Sequence, residues 1–121
     1  MKNKVLVIDD EGLNRKLIRT FLGRELLEVI EAGDAESGLA LARSEHPDLI
    51  LLDVRLPGMS GLEAIRILKT DDTTRDIPVL MLSAGSLAED DRYFRQAGAA
   101  GLLLKPFSMQ ELQKAVKERL K

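Results

Sequence analysis

The sequence predicts a single α/β domain in which a five-stranded parallel sheet carries helices on both faces. Five short apolar runs alternate along the chain with five stretches whose apolar residues recur at helical spacing. Strands that alternate with helices are joined by crossovers, which place neighbouring strands parallel to one another. The 121 residues are enough for one domain with a hydrophobic core, and we assign residues 1–121 to that domain.

Composition narrows the classes of function. The chain is 45% hydrophobic and 31% charged, which is typical of a globular domain. A net charge of -2 without a basic cluster argues against direct binding of nucleic acid. The absence of cysteine excludes disulfides and thiolate metal sites, and is consistent with a reducing compartment. No apolar run is long enough for a signal peptide or a membrane span, so we expect a cytoplasmic protein without membrane contact.

Two strand–helix units precede the centre of the predicted sheet. Residues 5–8 form a strand, and the helix after it ends near Gly23. The predicted inward stripe of that helix consists of apolar residues at helical spacing: Leu13, Leu17, Ile18, Phe21 and Leu22. Residues 27–32 form the second strand, whose glutamates suggest a sheet edge. A turn and helix cap at residues 33–34 start the second helix, which ends before Pro47.

The central strand and the second half of the chain continue the alternation. Residues 49–52 are a continuous apolar run, typical of a strand buried on both faces, and lead directly into Asp53. Strands at residues 79–82 and 102–104 lead into Ser83 and Lys105. Each of the last three helices starts with a serine followed by a glutamate three residues later, the pattern of a capping box: Ser60 with Glu63, Ser86 with Glu89, and Ser108 with Glu111.

The predicted topology gathers polar residues at one edge of the sheet. Right-handed crossovers leave few strand orders, of which we predict the flavodoxin-like order 2-1-3-4-5. In that order the first and third strands border the switch point, so Asp9, Asp10 and Asp53 share one crevice. Ser83 and Lys105 follow the fourth and fifth strands at the same edge. Each residue alone has an ordinary explanation as a helix cap, turn residue or solvated charge, but their convergence favours a functional site.

The residues in this crevice suggest phosphoryl chemistry. Three neighbouring carboxylates repel one another unless a cation is present, and ligands that are all oxygen atoms favour Mg²⁺ over zinc. A metal held by few protein ligands keeps positions open for phosphate oxygens. An aspartate beside it can attack phosphorus and form an aspartyl phosphate. An ammonium and a hydroxyl group then neutralise the oxygens of the transferred group.

With these residues in place, the chain resembles the response-regulator receiver domains of two-component signalling, a group that includes the bacterial chemotaxis regulator. The resemblance extends from Lys4 to Lys121 and is carried by four motifs: VIDDE at 7–11, LLDVRLPGMSG at 51–61, MLSA at 81–84 and KPF at 105–107. It implies a signalling switch that accepts a phosphoryl group from a sensor histidine kinase or a histidine phosphotransfer protein. The downstream partner would be an effector protein or a fused output domain.

The resemblance also implies a metal site. Asp53 would be the phosphoacceptor, and Asp10 and Asp53 would bind Mg²⁺ directly, with Mn²⁺ as a possible substitute. Asp9 would act mainly through water, and the backbone carbonyl of Arg55 would be a further ligand.

The remaining roles implied by the resemblance concern the phosphoryl group and the output surface. Ser83 would donate a hydrogen bond to the phosphoryl group, Lys105 would pair with it, and the bond from Lys105 to Pro106 would be cis. The output surface would be the fourth helix, fifth strand and fifth helix. Two features depart from the family there: Leu102 replaces an aromatic switch residue, and residues 100–101 are Ala-Gly where the transcription-factor subfamily has an acidic pair.

Two alternative functions stay open at this point. One is a Mg²⁺-dependent phosphohydrolase of the haloacid dehalogenase kind, which also forms an aspartyl phosphate. That family needs Asp-x-Asp after the first strand and a cap domain, whereas the acids here are adjacent at residues 9–10 and 121 residues leave no room for a cap. The other is an interaction module that works without phosphorylation. We expect no multiple-turnover enzyme, only a protein that catalyses its own aspartyl phosphorylation and dephosphorylation.

Overall fold

The structure is a computed structural model that describes residues 3–23, 27–84 and 87–120, with the backbone alone for residues 87–91. Five strands and five helices alternate as predicted, with bounds that differ from the expected ones by one or two residues in most elements. In chain order they are β1 (Asn3–Ile8), α1 (Gly12–Leu22), β2 (Leu27–Ala32), α2 (Ala35–Glu45), β3 (Leu49–Asp53), α3 (Gly61–Thr70), β4 (Val79–Ser83), α4 (Leu87–Gln96), β5 (Gly101–Leu104) and α5 (Met109–Arg119).

The five strands form one parallel sheet in the order β2-β1-β3-β4-β5, which confirms the predicted fold class and strand order. β2 lies at the edge of the sheet, as its glutamates suggested. The register aligns Ile8 with Leu52, Asp53 with Leu82, and Ser83 with Leu104. The carboxyl ends of four strands therefore lie nearly level, so the residues that follow them meet at one edge.

Helices cover both faces of the sheet and enclose two apolar cores. The side chains of β1 alternate between them: Leu6 and Ile8 belong to the core beneath α2 and α3, and Val5 and Val7 to the core beneath α1 and α5. Every residue of β3 is buried. A central strand buried on both faces has no solvated side, which accounts for the continuous apolar run in the sequence.

The predicted apolar stripe of α1 is partly wrong. Ile18 and Leu22 are fully buried, but Leu13 is 82% exposed and Leu17 42% exposed. Leu13 and Leu17 are four residues apart, as are Ile18 and Leu22, so each pair lies along one side of the helix. Because successive residues are rotated by about 100° around the helix axis, the two pairs point in different directions. The sheet covers the side with Ile18 and Leu22 and leaves the side with Leu13 and Leu17 in solvent.

Helix caps follow the sequence where the structure describes them. Ser108 and Glu111 form a complete capping box at α5. At α3 only half of the box forms, because the Glu63 carboxylate accepts a hydrogen bond from Ser60 Oγ at 3.3 Å and the serine in turn caps the Glu63 amide. The third predicted box begins at Ser86, which lies outside the described residues.

No helix in the described ranges combines the length and the apolar character needed to cross a lipid bilayer.

The conformational freedom of glycine matters at Gly98, just beyond α4, where φ is +110°. A Cβ atom there would lie 2.8 Å from Lys69 Cγ, so the end of α4 packs against the side-chain stem of Lys69.

Candidate functional site

Three aspartates meet where β1 and β3 end. Asp9 follows β1 and is fully buried, Asp53 is the last residue of β3 and is 6% exposed, and Asp10 is exposed. Each supplies a carboxylate oxygen, and these three oxygens lie within 4.8 Å of one another. The structure therefore brings together the acids that the sequence placed in one crevice.

Lys105 joins the two buried acids. Its Nζ atom donates hydrogen bonds to Asp53 Oδ2 at 2.8 Å and to Asp9 Oδ2 at 3.1 Å. The lysine follows β5, its side chain is 16% exposed, and its peptide bond to Pro106 is cis, as the resemblance implied. One ammonium group thus offsets part of the negative charge that the fold concentrates here.

The electrostatic environment shifts the pKa of both partners upward. Burial raises the pKa of Asp53, because the ionised carboxylate loses solvation, while hydrogen bonds from Lys105 and from the Arg55 amide oppose that rise. Burial by itself would lower the pKa of Lys105, but its hydrogen bonds and charge interactions with Asp53 and Asp9 outweigh burial and raise it. The lysine is therefore held in its charged form next to a carboxylate that is costly to ionise.

Backbone contacts fix the second oxygen of each buried acid. The Arg55 amide donates to Asp53 Oδ1 at 3.0 Å, and the Glu11 amide donates to Asp9 Oδ1 at 2.9 Å. Gly61 at the start of α3 packs directly on this segment, since a Cβ atom there would lie 2.6 Å from the Asp53 carbonyl oxygen. The Arg55 side chain is exposed, and its backbone belongs to the loop that leaves β3.

Ser83 lies on the strand next to the phosphoacceptor candidate. It is the last residue of β4, is 3% exposed, and follows Leu82, which is paired with Asp53. The Lys105 amide donates to the Ser83 carbonyl oxygen at 2.7 Å. The ends of β3, β4 and β5 are therefore adjacent, with a carboxylate, a hydroxyl and an ammonium in that order.

Sequence reasoning missed three residues around Asp9. Asn14 Nδ2 donates to Asp9 Oδ2 at 3.4 Å, and Arg15 Nη1 donates to the Asp9 carbonyl oxygen at 2.6 Å. Arg15 also pairs with Glu31 on β2, through Nε at 3.2 Å. Apolar periodicity carries no signal for such contacts, because they join polar groups of different elements that become neighbours only in the folded chain.

The donor set is suitable for a hard divalent cation. Three carboxylates and the backbone carbonyls of the adjoining loops offer oxygen ligands, which Mg²⁺ prefers. The only histidine of the chain, His46, ends α2 at the opposite edge of the sheet, and cysteine is absent. Zinc, which favours nitrogen and sulfur ligands, suits this crevice poorly.

An apolar surface borders the crevice. Leu17, Ala84, Pro106 and Phe107 line a cavity of about 330 Å³ whose remaining walls include Lys105. The exposed side chain of Leu13 lies one helical turn before Leu17 on α1. Exposed apolar side chains grouped beside a polar site are typical of a protein–protein contact.

Comparisons with known proteins agree with this geometry. A family model described as the response regulator receiver domain matches residues 5–117. The polar-differentiation response regulators DivK of Brucella ovis and Brucella anthropi are each 37% identical over 120 residues, which cover 99% of this chain and 98% of theirs. The chemotaxis protein CheY4 of Vibrio cholerae superimposes with a TM-score of 0.93 at 31% identity, over 99% of this chain and 100% of that chain. The receiver domain of NtrX from Brucella abortus gives 0.88 at 31%, over 96% and 97%.

Proposed function

Because this chain belongs to the response regulator receiver domain family, the phosphorylation-activated switches of two-component signalling, we propose that Asp53 is its phosphoacceptor. Members of the family are signalling switches and not classical enzymes, which sets aside the phosphohydrolase alternative. We extend the receiver domain over residues 1–121. We further propose that the chain catalyses its own aspartyl phosphorylation and dephosphorylation.

The arrangement of Asp53 and Lys105 is the observation that carries the proposal. A buried carboxylate at the end of the central strand has its ammonium partner at 2.8 Å, and two further carboxylates lie close by. An ion pair that only stabilised the fold would not require the two further carboxylates beside it. Three carboxylates around one ammonium leave excess negative charge, which a divalent cation would balance.

The transfer step follows from the positions of the side chains. A carboxylate oxygen of Asp53 attacks phosphorus, the phosphorus–nitrogen bond of a phosphohistidine breaks, and its electron pair returns to the leaving imidazole. Lys105 and Ser83, on strands beside Asp53, then face the oxygens of the transferred group and neutralise their charge. Removal of either residue should weaken the response to phosphorylation more than the capacity to accept it.

A bound Mg²⁺ would supply additional positive charge against the phosphoryl oxygens. We assign its protein ligands to Asp10, Asp53 and the Arg55 carbonyl, with Asp9 acting through water. The proximity of the three carboxylates and the absence of softer ligands among them support this assignment. Mn²⁺ should substitute, since it accepts the same oxygen ligands.

The phosphoryl donor must reach Asp53 from the open side of the crevice. The face of α1 with Leu13 and Leu17, together with Phe107, lies beside that opening. We assign this surface to a sensor histidine kinase or a histidine phosphotransfer protein, which would bury the exposed leucines while its histidine approaches the aspartate. A downstream effector or a fused output domain would read the phosphorylated state, and we place the protein in the cytoplasm with these partners.

Acetyl phosphate with Mg²⁺ provides the direct test. Intact-protein mass spectrometry should show one added phosphoryl group on the wild type and none on Asp53→Asn. Glu118→Ala, which removes an exposed carboxylate on α5, should accept the group like the wild type. An unchanged adduct in Asp53→Asn would overturn the assignment of the phosphoacceptor. A wild type that takes up no phosphoryl group, from acetyl phosphate or from a phosphorylated histidine donor, would favour the phosphorylation-independent module.

A further inference from the structure

The backbone of Asp9 is held at its amide and at its carbonyl by contacts outside the acidic crevice. The Asp9 amide donates to the Ala32 carbonyl oxygen of β2 at 3.1 Å. The Asp9 carbonyl oxygen accepts from Arg15 Nη1 at 2.6 Å. With Asp9 anchored at its amide and at its carbonyl, the direction in which the chain leaves toward Asp10 is fixed.

Arg15 is itself held in place by the edge strand. Its Nε donates to Glu31 Oε1 at 3.2 Å, and the other oxygen of Glu31 pairs with Arg19. The guanidinium group lies against glycines on two sides: a Cβ atom would be 3.4 Å from Nη1 at Gly33 and 3.6 Å from Nη2 at Gly12. The side chains of Arg15 and Glu31 are only 24% and 20% exposed, so this pair is more restrained than a surface ion pair.

Asp10 depends on this backbone more than its neighbours do. Asp9 and Asp53 are buried and hydrogen-bonded through their carboxylates. The Asp10 carboxylate is exposed, and within the described part of the chain it accepts no hydrogen bond. Its approach to Asp53 is therefore set by the position of its backbone. Arg15 holds the Asp9 carbonyl, which belongs to the peptide group that joins Asp9 to Asp10.

We propose that Arg15, anchored by Glu31, is a positioning residue for the metal site, which acts by fixing the Asp9–Asp10 peptide so that the Asp10 carboxylate faces Asp53. The proposal rests on the function proposed above, since it assumes that these acids bind Mg²⁺. It assigns the edge strand β2 a part in a site formed by β1 and β3. Hydrogen-bond partners of metal ligands typically change metal affinity by 10- to 100-fold, and because Arg15 acts through the neighbouring backbone we expect an effect at the lower end of that range.

Because Arg15 is positively charged, the electrostatic and the positioning roles predict opposite changes in Mg²⁺ affinity when it is replaced. Loss of a nearby positive charge should tighten Mg²⁺ binding if only electrostatics matter, whereas loss of a positioning contact should weaken it. Magnesium titrations monitored by amide chemical shifts would give the dissociation constant for the full chain, at a temperature where thermal unfolding shows each variant to be folded. The variants are Arg15→Gln, Arg15→Lys and Glu31→Gln, and Lys16→Gln is the control with the same charge change on the exposed side of α1.

We expect Arg15→Gln to bind Mg²⁺ about tenfold more weakly, with Arg15→Lys failing to restore affinity because an ammonium cannot bridge Glu31 and the Asp9 carbonyl. Lys16→Gln should bind as tightly as the wild type or slightly more so. Glu31→Gln should weaken binding in the wild-type background but not in the Arg15→Gln background, since the two residues act in series. If Arg15→Gln is too unstable to measure, Arg15→Lys decides the question, because it keeps the positive charge: weaker Mg²⁺ binding supports the positioning role and unchanged binding overturns it.

The outcomes separate this proposal from the proposed function. A wild type that binds Mg²⁺, with Arg15→Gln binding equally well or more tightly, would overturn the positioning role and leave the receiver function intact. A lowered melting temperature with an unchanged dissociation constant would show Arg15 to be structural only, and so would also overturn it. A wild type that fails to bind Mg²⁺ would overturn both.

Discussion

The Lys105 ammonium and the Asp53 carboxylate, 52 residues apart in the chain, lie 2.8 Å from each other at the carboxyl edge of the sheet. The same ammonium reaches Asp9 at 3.1 Å. Lys105 therefore connects β5 to the acids that follow β1 and end β3.

Removal of the Lys105 charge should destabilise the metal-free protein. In Lys105→Met two buried carboxylates lose their shared cation. Removing one partner of a buried ion pair lowers the free energy of unfolding by roughly 3 kcal/mol, because the remaining charge stays buried without compensation. Urea unfolding at neutral pH should show that loss, and Mg²⁺ should recover part of it by replacing the missing positive charge. Lys114→Met, at an exposed position of α5, should change stability little. Equal stabilities of the two variants would show that the ion pair contributes nothing net.

Asp10→Ala should act in the opposite direction. The Asp10 carboxylate adds a third negative charge within 4.8 Å of two others, so its removal should stabilise the metal-free fold, by about 1 kcal/mol. The same change should abolish the rise in melting temperature that Mg²⁺ gives to the wild type, a trade-off common at functional sites. Glu118→Ala serves as the control for the loss of a negative charge. A Mg²⁺ shift in Asp10→Ala equal to that of the wild type would contradict a shared site.

The fold could be predicted from the sequence because the patterns that indicate its strands and helices are local. Buried parallel strands must be continuously apolar, and the polar residues that follow β1, β3, β4 and β5 must then gather at one edge. The stripe of α1 was wrong at Leu13 and Leu17 because periodicity defines a helix face without showing how much of it the sheet covers. Arg15 and its neighbours were missed because their contacts depend on side-chain directions across three elements.

Gly61 should be sensitive to the smallest enlargement. A Cβ atom there would lie 2.6 Å from the Asp53 carbonyl oxygen and 2.8 Å from Val54 Cα, and neither backbone atom can rotate away. Gly61→Ala should therefore lower stability by about 1–3 kcal/mol and slow phosphorylation by acetyl phosphate, because the loop after Asp53 must shift. At Gly12 the nearest atom would be Arg15 Nη2 at 3.6 Å, an ordinary van der Waals distance, so Gly12→Ala should be tolerated. Wild-type kinetics and stability in Gly61→Ala would contradict this packing.

Acid stability should depend on Asp71. Hydrogen bonds from the Thr73 hydroxyl and from Arg43 lower the pKa of Asp71 from 3.8 to about 2. A group with a lowered pKa in the folded state binds fewer protons than in the unfolded state, so its stabilising contribution is present above about pH 4 and is lost as the pH falls toward about 2. Urea midpoints should fall less steeply over that range in Asp71→Asn than in the wild type. The carboxylate of Asp72 is 89% exposed, and Asp72→Asn should retain the wild-type slope.

The output of the switch should come mainly from α4. The resemblance to receiver domains places Leu102 at the position of an aromatic switch residue. In the structure it is a partly buried aliphatic residue packed against the core beneath α2 and α3. It has no ring to move and no hydroxyl to find a new partner, so its rearrangement displaces little surface. Within the described side chains of α4, at residues 92–96, Phe94 is the buried one. A segment with so few buried side chains is expected to have low local stability, and this holds for residues 92–96.

Hydrogen exchange with and without beryllofluoride, which mimics the phosphoryl group, would test this expectation. Protection should change mostly in residues 86–98. We expect Ser83 and Ala84 to move toward Asp53, which would shift the N-terminal end of α4 and leave β5 nearly undisturbed. Leu102→Tyr restores a ring and a hydroxyl, and should extend the change to residues 102–104 and to α5. Changes confined to β5 and α5 in the wild type would show that Leu102 transmits the signal without an aromatic ring and that α4 is not the moving element.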